Sequence, residues 1–142
     1  MRRQVKSLQF RHLDAGSCNG CEQELTALTS RYYDIQQFGL DLVASPRHAD
    51  ALVVTGPVTD TMKEPLQKVW AAVPRPKRLV ALGDCAAGCG VFQAAYACHG
   101  GIATALETPD LVIRGCPPHP QEILDQLRSL QITGENPIVP DL

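Results

Sequence analysis

A marked excess of charge of either sign is missing from this chain. Its 13 Lys and Arg stand against 15 Asp and Glu, a formal net charge of −2 over 142 residues, and no basic patch argues for nucleic acid. Internal repeats and low-complexity tracts are missing too, so the fold is not built by repetition. A secretory leader is not expected. Met1-Arg2-Arg3-Gln4-Val5-Lys6 hints at a twin-arginine signal, but such a signal needs about 7–15 apolar residues next. Arg11, His12 and Asp14 interrupt that stretch, and a basic N-terminal arm over residues 1–7 is the expectation. A transmembrane helix is not expected either. Leu79 to Leu106 holds a single formally charged residue, Asp84, and superficially resembles a span. It opens as a buried strand, however, and carries Gly83, Gly88, Gly90, Gly100 and Gly101 with three cysteines. A glycine-rich loop in which backbone can approach closely fits better.

What is present is a set of thiols. The length fits one domain spanning residues 1–142, with a core that needs no staples. Six cysteines would suit three disulfides in a small secreted protein, but the chain is not small for its core. Reduced thiols in a cytosolic protein point instead to metal or redox chemistry. The organising stretch is Asp14-Ala15-Gly16-Ser17-Cys18-Asn19-Gly20-Cys21-Glu22-Gln23-Glu24. It lies between an alternating segment (Leu8, Phe10, His12) and a helical pattern marked by Leu25 and Leu28. Cys18 and Cys21 are thereby placed where a strand ends and a helix begins, where free N–H groups and the helix dipole favour thiolate.

The remaining chain alternates strand and helix. Leu8–Leu13 reads as the first strand, Glu22 to about Arg31 as the first helix, and Phe38–Val43 as a second strand with Phe38, Leu40 and Leu42 on one face. Ala51–Thr55 and Leu79–Leu82 are continuous apolar runs, as in strands buried on both faces. Glu64–Val73 is helical, with Leu66, Val69, Trp70 and Val73 inward, and Pro74 and Pro76 end it. Leu111–Ile113 is a short strand, and Pro120 to about Leu130 a helix burying Ile123, Leu124, Leu127 and Leu130. Residues 133–142 read as an extended tail. Such an order implies an α/β fold, an open parallel sheet with helices on both faces and right-handed crossovers. Ligands in such sheets gather at the carboxyl ends of the strands. Cys18 and Cys21 follow the first strand, Cys85 follows Leu79–Leu82, and Cys116 follows Leu111–Ile113. Four thiols distant in sequence converge on one edge. A thioredoxin-like dithiol would not need Cys85 and Cys116, and a structural zinc site usually draws on two close pairs. An iron–sulfur electron carrier is the reading that remains.

Five blocks in this order and spacing carry a resemblance: Cys18-Asn19-Gly20-Cys21, Ser45-Pro46-Arg47-His48-Ala49-Asp50, Thr55-Gly56-Pro57-Val58-Thr59, Gly83-Asp84-Cys85-Ala86 and Gly115-Cys116-Pro117-Pro118. Over about residues 8–130 the chain resembles the small subunit of membrane-bound, energy-converting nickel–iron hydrogenases. That group includes the formate-hydrogenlyase and carbon-monoxide-linked types, and it is homologous to the roughly 20-kDa subunit of complex I. The resemblance implies a flavodoxin-like fold and one 4Fe–4S cluster held by Cys18, Cys21, Cys85 and Cys116, the additional cluster domain of other hydrogenase small subunits being missing. It implies three kinds of partner: a nickel–iron large subunit, a ferredoxin-like iron–sulfur subunit and integral membrane subunits. The large subunit would lie against the loops holding Cys18–Glu24 and Cys85–Gly90. The chain would lie peripherally on the cytoplasmic face of the membrane and relay electrons without making bonds itself. Complex I-like quinone reduction is the alternative; there the first two cysteines are adjacent, whereas Asn19-Gly20 separates them here.

Other residues carry two readings each. Cys89, four residues after Cys85, could replace it by spacing alone; the resemblance assigns Cys85 and leaves Cys89 and Cys98 as buried small hydrophobes. Glu24 is a first-turn glutamate or an acid beside the cluster. His119 either donates a hydrogen bond near the cluster or sits on an exposed loop. Arg47 and His48 are surface charge or partner contacts, and Trp70 belongs to the core.

Overall fold

The structure, a computed structural model, describes residues 7–132. Of the expected N-terminal arm only Ser7 falls within them; the rest of the arm and the expected tail at 133–142 lie outside the described residues. In chain order the elements are β1 (Leu8–Asp14), α1 (Gly20–Ala27), a 3₁₀ turn (Ile35–Phe38), β2 (Leu40–Leu42), a second 3₁₀ turn (Pro46–His48), β3 (Ala51–Thr55), α2 (Asp60–Ala72), β4 (Arg78–Leu82), α3 (Asp84–Ala87), α4 (Ile102–Ala105), β5 (Leu111–Ile113) and α5 (Pro120–Ile132). The strands form one sheet in the order β2-β1-β3-β4-β5, every neighbouring pair parallel. This is the doubly wound order expected of a flavodoxin-like sheet.

Alternation along the central strands divides the core in two. Ala51 and Val53 of β3 join Val80 and Leu82 of β4 against Leu25 and Leu28 and against Ile123, Leu124 and Leu127 of α5. Leu52, Val54, Leu79 and Ala81 point the other way, against Leu66 and Trp70 of α2 and Ile102 and Ala105 of α4. Both faces of β3 are thus buried along its whole length, which is why its sequence is an unbroken apolar run. The helices expected at 64–73 and 120–130 bury the residues their spacing indicated, except Val69, which is only partly buried.

Three boundaries differ from expectation. First, α1 stops at Ala27, not near Arg31. Its last turns tighten through Leu28 N–H to Leu25 O and Thr29 N–H to Thr26 O, and the Thr29 hydroxyl donates to Thr26 O at 2.7 Å; hydroxyl side chains compete for helix carbonyls in this way. Second, Phe38 belongs to a 3₁₀ turn closed by Gly39 at φ 77°, so β2 begins only at Leu40. Leu40 is fully buried but Leu42 is 40% exposed, because β2 is the outermost strand and its far end is not covered. Third, α2 starts a turn early, with Asp60 in its first turn and Pro65 inside it. Proline prefers a helix start, but burial of Leu66 and Trp70 and the favourable Asp60–dipole contact outweigh the one hydrogen bond that Pro65 removes. No helix among the described residues is long and apolar enough to cross a membrane.

Candidate metal centre

The loop after β1 must pass the end of β3 to reach β4 and β5. It does so on backbone contacts. Ala15 N–H donates to Thr55 O at 2.8 Å and Thr59 N–H to Ala15 O at 3.1 Å. Gly56, at φ 94°, lets the loop lie directly on it: a Cβ there would stand 2.6 Å from Ser17 N. The crossing brings Cys21, at the start of α1, over the end of β4. At Gly83, φ 89°, any Cβ would overlap Cys21 Sγ. Two glycines therefore create the room in which three strand ends meet.

Cys18, Cys21, Cys85 and Cys116 are gathered at this edge closely enough to feel one another's charge. The Cys21 thiol is pushed up to about 11, first by burial and then by Cys18, Cys85, Cys116 and Asp84. Burial also raises Cys85, followed by the charge of Cys116, while the Phe92 N–H works in the opposite direction. Cys18 and Cys116 are exposed and Cys21 and Cys85 partly so, so the group opens to the surface. Among the described residues no three His, Cys, Asp or Glu side chains are drawn tightly enough around one point to hold a metal ion. Single-ion thiolate sites need sulfurs about 2.3 Å from a shared centre. A cluster of several irons binds each thiolate at a different iron, and an open group of four cysteines is the donor set it takes.

Polar contacts brace the first loop. The Asp14 carboxylate accepts from Gly16 N–H at 2.9 Å and Ser17 N–H at 2.7 Å. The Ser17 hydroxyl donates to Glu22, Thr55 Oγ1 approaches the same carboxyl at 3.5 Å, and His12 Nε2 lies 2.9 Å from Thr55 Oγ1. At Asp14 burial opposes ionisation, but the Ser17 N–H, the Glu22 carboxyl and the Gly16 N–H outweigh it and hold the pKa low. Glu22 moves the other way, raised by burial and by Asp14 despite the Ser17 hydroxyl. As pH falls, Glu22 therefore takes up a proton before Asp14 does. Burial likewise lowers His12.

The remaining expectations divide. Cys89 is exposed and Cys98 partly exposed, so neither is the buried hydrophobe expected: Cys89 directs its thiol 3.7 Å from Asp84 O, and Cys98 lies in an extended bridge to Thr59. His119 is exposed and caps α5, its Nδ1 accepting from Gln121 N–H at 3.1 Å. Arg47 and His48 sit in the turn before β3, at the edge opposite the thiols. Glu24 is partly buried on α1, whereas its neighbour Glu22 makes the contacts. Residue reasoning did not single out Glu22, Asp14 or Asp84. Only Asp84 left a signal, as the lone charge in an apolar stretch.

The family described as NADH ubiquinone oxidoreductase, 20 Kd subunit, matches residues 18–130. The chain is 42% identical over 113 residues to the probable membrane-bound hydrogenase subunit mbhJ of Pyrococcus furiosus, covering 80% of this chain and 67% of that one. It is 40% identical over 119 residues to formate hydrogenlyase subunit 7 of Escherichia coli, covering 84% and 46% respectively. It is also 40% identical over 111 residues to an NADH-quinone oxidoreductase subunit of Geobacter metallireducens, covering 78% and 64%. The chain therefore spans between about half and two thirds of these relatives' lengths. Among solved structures, a chain of the archaeal membrane-bound sulfane sulfur reductase superposes with a TM-score of 0.72 at 28% identity, over 92% of this chain and 73% of that one.

Proposed function

This chain belongs to the family of the NADH ubiquinone oxidoreductase 20 Kd subunit, and on that premise we propose that it is the electron-relay small subunit of a membrane-bound nickel–iron hydrogenase. In this reading residues 1–142 are one domain, and Cys18, Cys21, Cys85 and Cys116 hold one 4Fe–4S cluster. The observation that carries it is the meeting of four thiols from three strand ends at one edge, where the other three each add to the rise of the Cys21 thiol. The two hydrogenase-type relatives support the hydrogen-linked branch.

The cluster supplies one-electron chemistry, and the chain's own part is to place it. Cys21 is seated by Gly83. Cys85 is offered from the first turn of α3 with the Phe92 N–H directed at its sulfur; such N–H groups tune cluster potential. A nickel–iron large subunit lies against the open thiol edge, a ferredoxin-like subunit passes electrons, and integral membrane subunits hold the assembly to the cytoplasmic face. Exposed Val91 and Tyr96, 82% and 99% accessible in the loop after Cys85, fit a surface that a partner covers.

A complex I-like relay to quinone is the second reading, favoured by the Geobacter relative, which shares the same 40% identity with this chain as the formate hydrogenlyase one over a slightly shorter stretch. Anaerobic isolation of the complex tests both. About four irons per chain and hydrogen evolution from a low-potential dye support the proposal. Quinone reduction without hydrogen turnover, in a nickel-free complex, selects the second reading. Iron-free protein rejects both.

A further inference from the structure

Between two of the four thiols lies a carboxylate that neither fold nor thiol count requires. Asp84 stands immediately before Cys85, and Gly115 immediately before Cys116. The two are joined reciprocally: Asp84 N–H donates to Gly115 O at 2.9 Å, and Gly115 N–H donates to Asp84 Oδ1 at 3.0 Å. The same Oδ1 accepts from Arg114 Nε at 2.8 Å, so a guanidinium and a carboxylate face each other close to the Cys116 and Cys85 backbones.

From this geometry we infer that Asp84 is a positioning residue, which fixes the Cys116 loop against the Cys85 turn and, balanced by Arg114, sets the reduction potential of the cluster these thiols hold. The inference rests on the iron–sulfur reading above and adds a regulator to that site. Backbone bonds alone leave Gly115, at φ 144°, anchored on its carbonyl side only; the carboxylate anchors its N–H, and so removes the freedom with which Cys116 could swing from the cluster. The charges matter separately. An electron arriving at a cluster is repelled by a neighbouring carboxylate and attracted by a guanidinium, and the open edge screens the pair only in part.

Three variants separate the two roles in the intact complex. In Asp84→Asn the amide oxygen still accepts from Gly115 N–H but the negative charge is gone; iron should be retained and the midpoint potential should rise. In Arg114→Gln the carboxylate is left unopposed, and the potential should fall. Asp84→Ala removes the acceptor, so iron per chain should drop and the reduced-state paramagnetic signal broaden. The same substitution in metal-free full-length chain should speed hydrogen exchange at Gly115 by about tenfold, whether or not iron is ever bound. Shifts of the same sign in Asp84→Asn and Arg114→Gln, or none, overturn the charge role; unchanged Gly115 exchange in Asp84→Ala overturns the clamp. Iron-free wild-type complex overturns the parent reading and the potential claim with it, while exchange still judges the clamp.

Discussion

At the edge where the strands begin, Asp50 exchanges two bonds with Gln9, N–H to O at 2.7 Å and Gln9 N–H to Oδ2 at 3.0 Å, and Asp110 does the same with Leu79 at 2.8 Å each way. At the edge where the strands end, Asp84 and Gly115 repeat the device. The first two tie neighbouring strands in register: β1 to the residue before β3, and β4 to the residue before β5. The third ties two loops, each carrying a thiol, and its carboxylate meets an arginine. One local arrangement therefore serves the sheet at one edge and the site at the other. What distinguishes the edges is the company it keeps. The entry edge has Lys77 donating to Trp70 O at 2.7 Å, with its ammonium 4.1 Å from the Trp70 ring centre; the exit edge has glycines at positive φ and open sulfurs.

Four sets of substitutions would break or sharpen this contrast. The largest effect is expected at the thiols. Serine at 18, 21, 85 or 116 should remove most of the iron, because a hydroxyl is a poor ligand for this soft site, whereas serine at 89 or 98 should leave iron and the paramagnetic signal intact. Loss in Cys89→Ser with retention in Cys85→Ser would reverse the assignment. Next comes Gly83→Ala. Its φ 89°, ψ 166° conformation costs a non-glycine residue about 1–3 kcal/mol, and the new methyl strikes Cys21 Sγ. Iron content should fall further than the melting temperature alone explains; a variant with full iron would show that Cys21 does not sit against β4.

Asp110→Ala probes the opposite edge. It leaves Leu79 N–H without its carboxylate, a loss of about 1–2 kcal/mol, measurable as a lower denaturant midpoint. Iron per folded chain should not change, and if it did, the division of labour between edges would be wrong. The smallest effect is pH-dependent. Burial lowers His12 in the folded chain, so the unfolded chain takes up a proton first as pH falls. Stability should be full above the ordinary value of about 6.5 and decline below it until the folded histidine itself titrates. His12→Gln, which can still bond Thr55, should flatten that decline; an unchanged acid slope would assign it to other groups.

Much of the fold was legible because burial writes period into sequence. Ala51–Thr55 is apolar throughout since both faces of β3 are covered, and Leu66, Trp70, Ile123 and Leu127 recur at helical spacing for the same reason. Where a short element lies at the margin, period misleads: Leu42 alternates correctly with Leu40 but ends at an uncovered edge. The four cysteines were legible as a group because each follows a strand and parallel strands share one exit edge. Glu22 and Asp14 were not, since a carboxylate in a glycine-bearing turn is ordinary turn chemistry wherever it occurs, and Asp84 showed only as a lone charge in an apolar stretch.

The sequence by itself determined the alternation of strands and helices, and with it the gathering of Cys18, Cys21, Cys85 and Cys116 at a single edge. These follow from local periodicity and from chain direction, which need no knowledge of neighbours. Only the tertiary structure decided how the thiols reach one another: Ser17 laid over Gly56, Cys21 seated on Gly83, and Gly115 held by Asp84. Those contacts join residues between 31 and 62 positions apart. Each depends on the absence of one Cβ or the direction of one carboxylate, and such quantities exist only once the sheet has brought the strand ends side by side.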